Sequence, residues 1–281
     1  MLEFKIKCFN LKDTLECGQC FRWKKANDED NRYIGVVHDR VIDIEQKGNI
    51  LKVNSNKEEN LEEVVKEYFD LNTDYQEVES RIIKIDDNIY KAVQNTTGIR
   101  ILNQPLFETI ISYIISANNN IKRISKSVDK ISEMFGEKIE YNGNVYYLFP
   151  TLEQLSKASV EELLACGVGF RAKYITSTVK ELMKNAYLLN TMQDMTTDKA
   201  KDILLKFAGI GPKVSDCILL FSLKKSEVFP IDVWVKRVME RLYFKQNVSI
   251  KQISEYSKEK FGMDAGIIQQ HLFHNVREGK I

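Results

Sequence analysis

The segment Leu204-Leu-Lys-Phe-Ala-Gly-Ile-Gly-Pro-Lys-Val-Ser-Asp-Cys-Ile-Leu-Leu-Phe221, followed by Phe229-Pro-Ile-Asp-Val-Trp234, restricts the fold more than any other part of the chain. Lys201 to Phe207 reads as an amphipathic helical run, and Gly209-Ile-Gly211 as a tight turn whose missing side chains let the backbone approach another surface. Pro212 suits the first position of a new helix, in which Val214, Cys217, Ile218 and Phe221 recur at helical spacing. Two helices joined by such a turn form a helix-hairpin-helix. The N–H groups at the turn and helix start lack partners within the helix, so the site can hold an anion such as a DNA phosphate.

Lys213 stands where the positive end of the helix and any burial both disfavour an ammonium, acting to lower a pKa of about 10.4 in an unperturbed lysine. A neutral lysine is a nucleophile. Asp232, nineteen positions further on, precedes the helical run Val233 to Leu242 and reads as its N-cap. A carboxylate beside that lysine can stabilise positive charge developing on a sugar. Taken singly, each feature is ordinary, a turn with an exposed lysine and a capping aspartate. Their conjunction points to catalysis.

Elsewhere, residues 1 to about 53 alternate apolar and polar positions in short runs, Tyr33-Ile-Gly-Val-Val37, Val41-Ile-Asp-Ile44 and Ile50-Leu-Lys-Val53, broken at Asn27-Asp-Glu-Asp30 and Lys47-Gly-Asn49. That is an antiparallel sheet. From Leu61 the period becomes helical, with helices expected over 107–117, 121–135, 160–165, 174–185 and 200–207, and a small excursion at 140–147. The fold class is therefore α+β. An N-terminal antiparallel-sheet domain with helices is expected over 1–98, and an all-α helix-hairpin-helix domain over 99–281.

Net charge is only +1, which announces no nucleic-acid partner, but the charge is segregated. Residues 57–87 hold eleven acids and four bases, and residues 199–245, around the hairpin, ten bases and five acids, a pattern suited to phosphate contact. The chain shows no membrane-length apolar run and no signal peptide at its start, so a cytoplasmic, nucleoid-associated location in a bacterium is expected, the Lys, Ile and Asn content fitting an AT-rich genome. Five scattered cysteines are unlike a disulfide framework. Cys17-Gly-Gln-Cys20 has metal or redox spacing, yet no second Cys or His pair accompanies it, and too few cysteines follow Lys213 for an iron–sulfur cluster. No cofactor and no metal are expected.

The hairpin segment resembles the helix-hairpin-helix DNA glycosylase superfamily, and most of all its 8-oxoguanine DNA glycosylase/AP lyase family. The likeness runs along nearly the whole chain: Cys17-Gly-Gln-Cys-Phe-Arg-Trp23, Gln104-Pro-Leu-Phe-Glu108, Ser116-Ala-Asn-Asn-Asn-Ile-Lys-Arg123, Gly167-Val-Gly-Phe-Arg-Ala-Lys-Tyr174 and Asp264-Ala-Gly-Ile-Ile-Gln-Gln-His-Leu-Phe273. The resemblance implies catalysis by Lys213 and Asp232 and phosphate binding at Gly209 and Gly211. It implies a lesion-base pocket of Gly18, whose carbonyl accepts the extra N–H of 8-oxoguanine, Cys217 and Phe273, which stack on the base, and Gln269, which bonds its Watson–Crick edge. Asn118 would fill the vacated stack, Arg123 and Arg171 would read the opposite cytosine, and Phe170 would wedge the duplex in place of the family's tyrosine.

Trp234 replaces the family's usual DNA-contacting histidine; its indole can only donate. His38, His271 and His274 show no catalytic or metal spacing. The expected protein is a monomer that binds duplex DNA containing oxidised guanine, excises that base and nicks the strand, without a membrane partner. A monofunctional alkylpurine glycosylase, working through the aspartate alone, and a non-catalytic helix-hairpin-helix DNA-binding module are the alternatives.

Overall fold

The computed structural model describes residues 1–27 and 31–280; of the expected break at Asn27-Asp-Glu-Asp30, all but Asn27 lies outside the described residues. Strands β1 (Leu2–Lys5), β2 (Trp23–Lys25), β3 (Arg32–Val37), β4 (Arg40–Lys47) and β5 (Ile50–Ser55) form one antiparallel sheet in the order β1-β5-β4-β3-β2. The three central strands are the ones the alternating pattern predicts. Register places Trp23 opposite Gly35, where a Cβ would stand 2.5 Å from the indole, so the glycine makes room for the ring. The indole N–H donates to the Tyr68 hydroxyl at 2.9 Å.

Helices α1 (Leu11–Glu16), α2 (Leu61–Tyr68), α3 (Tyr75–Ile82) and α4 (Asp87–Thr96) belong to the first third of the chain. Then follow α5 (Leu106–Ser116), α6 (Ile121–Phe135), α7 (Leu152–Ser156), α8 (Val160–Ala165), α9 (Ala172–Lys184), α10 (Leu188–Thr191), α11 (Thr197–Leu204), α12 (Pro212–Ser222), α13 (Val233–Met239), α14 (Ile250–Phe261) and α15 (Ala265–Arg277). The excursion at 140–147 is a hairpin of β6 (Lys138–Tyr141) and β7 (Asn144–Tyr147). The run expected from Val233 to Leu242 is α-helical only to Met239 and passes into a π turn over Glu240–Phe244, ending on left-handed Lys245.

Three apolar cores hold these elements. One lies under the sheet. A second surrounds α5, buried over every residue from Thr109 to Ile115, together with α9 and α12. In a third, α3 and α4 share their apolar faces with α13, α14 and α15, so the two ends of the chain are packed together. Such burial, at ~25 cal/mol per Å² of apolar surface, is what places the helix-borne side chains with respect to one another.

Candidate active site

The hairpin is built as its residues dictate. Gly209 has φ +82 and lies against Tyr174 of α9, where a Cβ would come within 2.9 Å of the ring carbons, so neither its conformation nor its packing tolerates a side chain. Gly211 is different. It is exposed, adopts φ −95 and has nothing within 4 Å of the place a Cβ would occupy, so no neighbour in the chain requires a glycine there. An open backbone of this kind suits approach by another molecule. Pro212 is the first residue of α12 and needs no hydrogen-bond partner for its nitrogen.

Lys213, in the first turn of α12, is half-buried and holds its ammonium 5.3 Å from the centre of the Tyr113 ring. One turn later, burial pushes the Cys217 thiol up to about 11, against the pull of Lys213. Asp232 caps α13, its Oδ1 accepting the N–H groups of Trp234 at 2.9 Å and Val235 at 2.8 Å. Lys213 and Asp232 line the same cleft, of about 910 Å³, with Gly18, Asn118, Phe273 and Trp234.

Gly18, Lys213, Cys217, Asp232, Gln269 and Phe273 also line one small adjoining chamber of about 40 Å³, so both expected catalytic residues and all four expected lesion-base residues come together. Gln269 is only 4% exposed, and its Oε1 is buried without a hydrogen-bond partner. Leaving such an acceptor unmade costs ~1–3 kcal/mol, so the chamber is built for something that donates.

The turn at Gly18 is fixed by its neighbours. Gln19 is fully buried; its side-chain amide donates to the carbonyls of Thr14 at 2.9 Å and Arg100 at 2.7 Å and accepts from Leu102 N–H at 2.9 Å. Its own carbonyl accepts from Gln104 at 2.8 Å and Tyr113 at 3.1 Å. The carbonyl of Cys17 takes the Gln270 amide at 3.2 Å. Between them Gly18 turns at φ +92, and among the described residues no hydrogen bond reaches its carbonyl. The thiols of Cys17 and Cys20 both donate to backbone carbonyls, and burial raises both pKa values. They are structural. Among the described residues no group of three or more His, Cys, Asp or Glu is disposed to hold a metal.

Of the other predicted residues, Asn118 and Trp234 line the cleft, and Arg123, Phe170 and Arg171 are not part of its lining. Phe170 is 58% exposed, its ring set edge-on to Tyr174 and beneath the Arg171 guanidinium at 4.5 Å, so a flat apolar face projects from the Gly167–Gly169 turn. Arg123 is exposed. Arg171 is not: its head donates to the carbonyls of Ala117, Asn118 and Val168, which fixes left-handed Asn118 at the cleft mouth. Burial and the nearby Arg123 charge both push its guanidinium pKa down. Trp234 is 43% exposed with Arg237 over its ring.

Sequence reasoning missed Tyr113, Phe221, Pro230 and Gln270 in the chamber wall, and Arg277 in the cleft. Tyr113 carried the one available signal, the single phenol of a largely apolar helix; it stacks on Phe221 at 5.7 Å beneath Lys213.

Comparison with known proteins agrees with this geometry. Residues 1–110 match the 8-oxoguanine DNA glycosylase N-terminal domain, and residues 111–262 match the HhH-GPD superfamily base excision DNA repair protein. A probable N-glycosylase/DNA lyase of Methanothermobacter thermautotrophicus is 32% identical over 77% of this chain and 75% of its own. The Clostridium acetobutylicum 8-oxoguanine glycosylase/lyase, solved with dsDNA containing cytosine opposite 8-oxoG, is 41% identical with a TM-score of 0.92, covering 97% of this chain and 93% of that one. A 3-methyladenine DNA-glycosylase from Archaeoglobus fulgidus is 26% identical with a TM-score of 0.83, covering 99% of each chain. By these matches and by the residues gathered in its cleft, the chain belongs to the 8-oxoguanine DNA glycosylase/AP lyase family of the helix-hairpin-helix superfamily.

Proposed function

We propose that this chain, acting as a monomer on duplex DNA, flips out 8-oxoguanine, preferably opposite cytosine, excises it and cleaves the abasic strand. The observation that carries the reading is the chamber in which a lysine and a carboxylate meet an unpaired glutamine oxygen, a thiol and a phenyl ring. The thiol and ring supply two faces for a flat base, and Gln269 Oε1 accepts an N–H from its edge.

Catalysis then follows from position. The carboxylate of Asp232 stabilises the oxocarbenium-like sugar, the Lys213 nitrogen, once it has given up a proton, bonds to the anomeric carbon, and the glycosidic bond breaks with its electron pair passing to the base. Opening of the sugar ring gives a Schiff base, which acidifies the neighbouring C–H; loss of that proton expels the 3′ phosphate by β-elimination. The exposed Gly211 backbone grips a phosphate, Phe170 wedges the duplex, Asn118 fills the gap, and Arg123 addresses the cytosine while Arg171, its head taken up by three backbone carbonyls, holds Asn118 in place. No helix among the described residues is long and apolar enough to cross a membrane, and the work belongs in the nucleoid.

Lys213 distinguishes this reading from an alkylpurine glycosylase, which needs no nucleophilic amine. Borohydride should trap the protein covalently on a duplex carrying 8-oxoguanine, while Lys213→Gln binds the lesion but is not trapped. Base release without a trappable adduct would establish the monofunctional alternative, and binding with no release the non-catalytic one.

A further inference from the structure

Arg277 ends α15, one turn beyond Phe273, with its guanidinium 5.9 Å from the centre of that ring. Its Nη2 donates to the Glu16 carbonyl and lies 3.3 Å from Glu278 Oε1. Nη1 is buried with no hydrogen-bond partner. Its location is set by a neighbour: a Cβ added to Gly18 would stand 2.9 Å from Nη1 and 3.4 Å from Phe273 Cε1. An orphan donor thus sits against the open side of Gly18, whose carbonyl takes no hydrogen bond among the described residues, at the edge of the Phe273 ring.

Resting on the reading that the ligand is an oxidised guanine, we propose that Arg277 is a specificity residue whose Nη1 donates to the C8 oxygen of the flipped base while the Gly18 carbonyl accepts the adjacent N7–H. In 8-oxoguanine those two groups are neighbours, an acceptor next to a donor, and the turn offers their complement. Guanine presents a C–H at position 8 and a bare acceptor at N7, so one contact disappears and the other becomes repulsive. The positive charge of the guanidinium further favours an oxygen over a hydrogen at that edge.

The test is the ratio of two single-turnover rates on the same preparation, 8-oxoguanine excision and strand cleavage at a preformed abasic site, which has no base to contact. In Arg277→Met the ratio should fall by roughly 10- to 100-fold, the worth of a hydrogen bond to a charged group. Arg277→Lys keeps the charge and stem but loses the forked head; it should lower the ratio less, and it reports if the methionine variant does not fold. General damage lowers both rates together, so a ratio within about twofold of wild type in a folded variant overturns the proposal. A wild-type protein that releases no 8-oxoguanine would instead refute the functional reading, before any variant is compared.

Discussion

Replacing Asp232 separates its two roles, because both N–H groups of the cap fall on one oxygen, Oδ1. Asparagine presents an oxygen in the same place and ranks beside aspartate as an N-cap, so Asp232→Asn should lose only the charge–dipole attraction, ~0.3–1 kcal/mol. Asp232→Ala should lose the cap as well, a further ~0.5–2 kcal/mol. For a chain of this size each ~1 kcal/mol shifts the thermal midpoint by about 2–4 °C, so the alanine variant should melt distinctly below the asparagine one. Catalysis should sort them differently. Both variants lack the anion facing the sugar, and loss of one preorganised electrostatic group costs roughly 10²–10³ in rate. Single-turnover base release and thermal melting, measured on all three proteins, decide the matter. An asparagine variant that cleaves at nearly the wild-type rate refutes the charge argument; one that melts with the alanine variant refutes the cap argument.

Arg123→Ala should narrow the preference for cytosine over adenine opposite the lesion, by ~1–3 kcal/mol if the contact is a good bidentate one, and leave melting unchanged because the side chain is exposed. Arg171→Ala should narrow the preference and also lower the melting temperature, since its head binds three backbone carbonyls; equal melting in the two variants would contradict this. Burial pushes the His271 pKa down to about 3, below the ~6.5 of an unfolded chain, so its contribution is complete above pH ~6.5 and is lost as pH falls toward 3. His271→Asn should therefore flatten the fall in thermal midpoint across that window, and a slope equal to wild type would remove His271 from the explanation.

The hairpin and the cap that faces it were legible because they are written locally: a glycine turn, a proline at a helix start, a lysine in the first turn and an aspartate at a cap each act through their immediate neighbours in sequence. The central strands and seven helices, α5, α6, α8, α9, α11, α12 and α13, were legible for the same reason. What escaped depends on distant parts of the chain. Tyr113 lies under Lys213 only because α5 and α12 share a core, and Arg277 meets Gly18 only because the two ends of the chain are packed together. The edge strands β1 and β2, of four and three residues, are too short to display a period. The π turn after Met239 interrupts a sequence whose apolar spacing continues unbroken, so propensity alone extends the helix too far.

Gln19 ties α1, the Arg100–Leu102 stretch of backbone and the α5 tyrosine into one fully buried knot. A residue so placed makes the ability to tell one base from another a property of the assembled whole. Cut away the first hundred residues and the nucleophile, its hairpin and its carboxylate all remain encoded, but the Gly18 turn they face is gone. The Gly18 turn and the residues it faces, Lys213, Gln269 and Phe273 among them, therefore have distant addresses in the gene and a single address in space. A fragment could inherit the nucleophile without the turn, and on a genome in which nearly every guanine is undamaged that would be a hazard rather than a weaker version of the same tool.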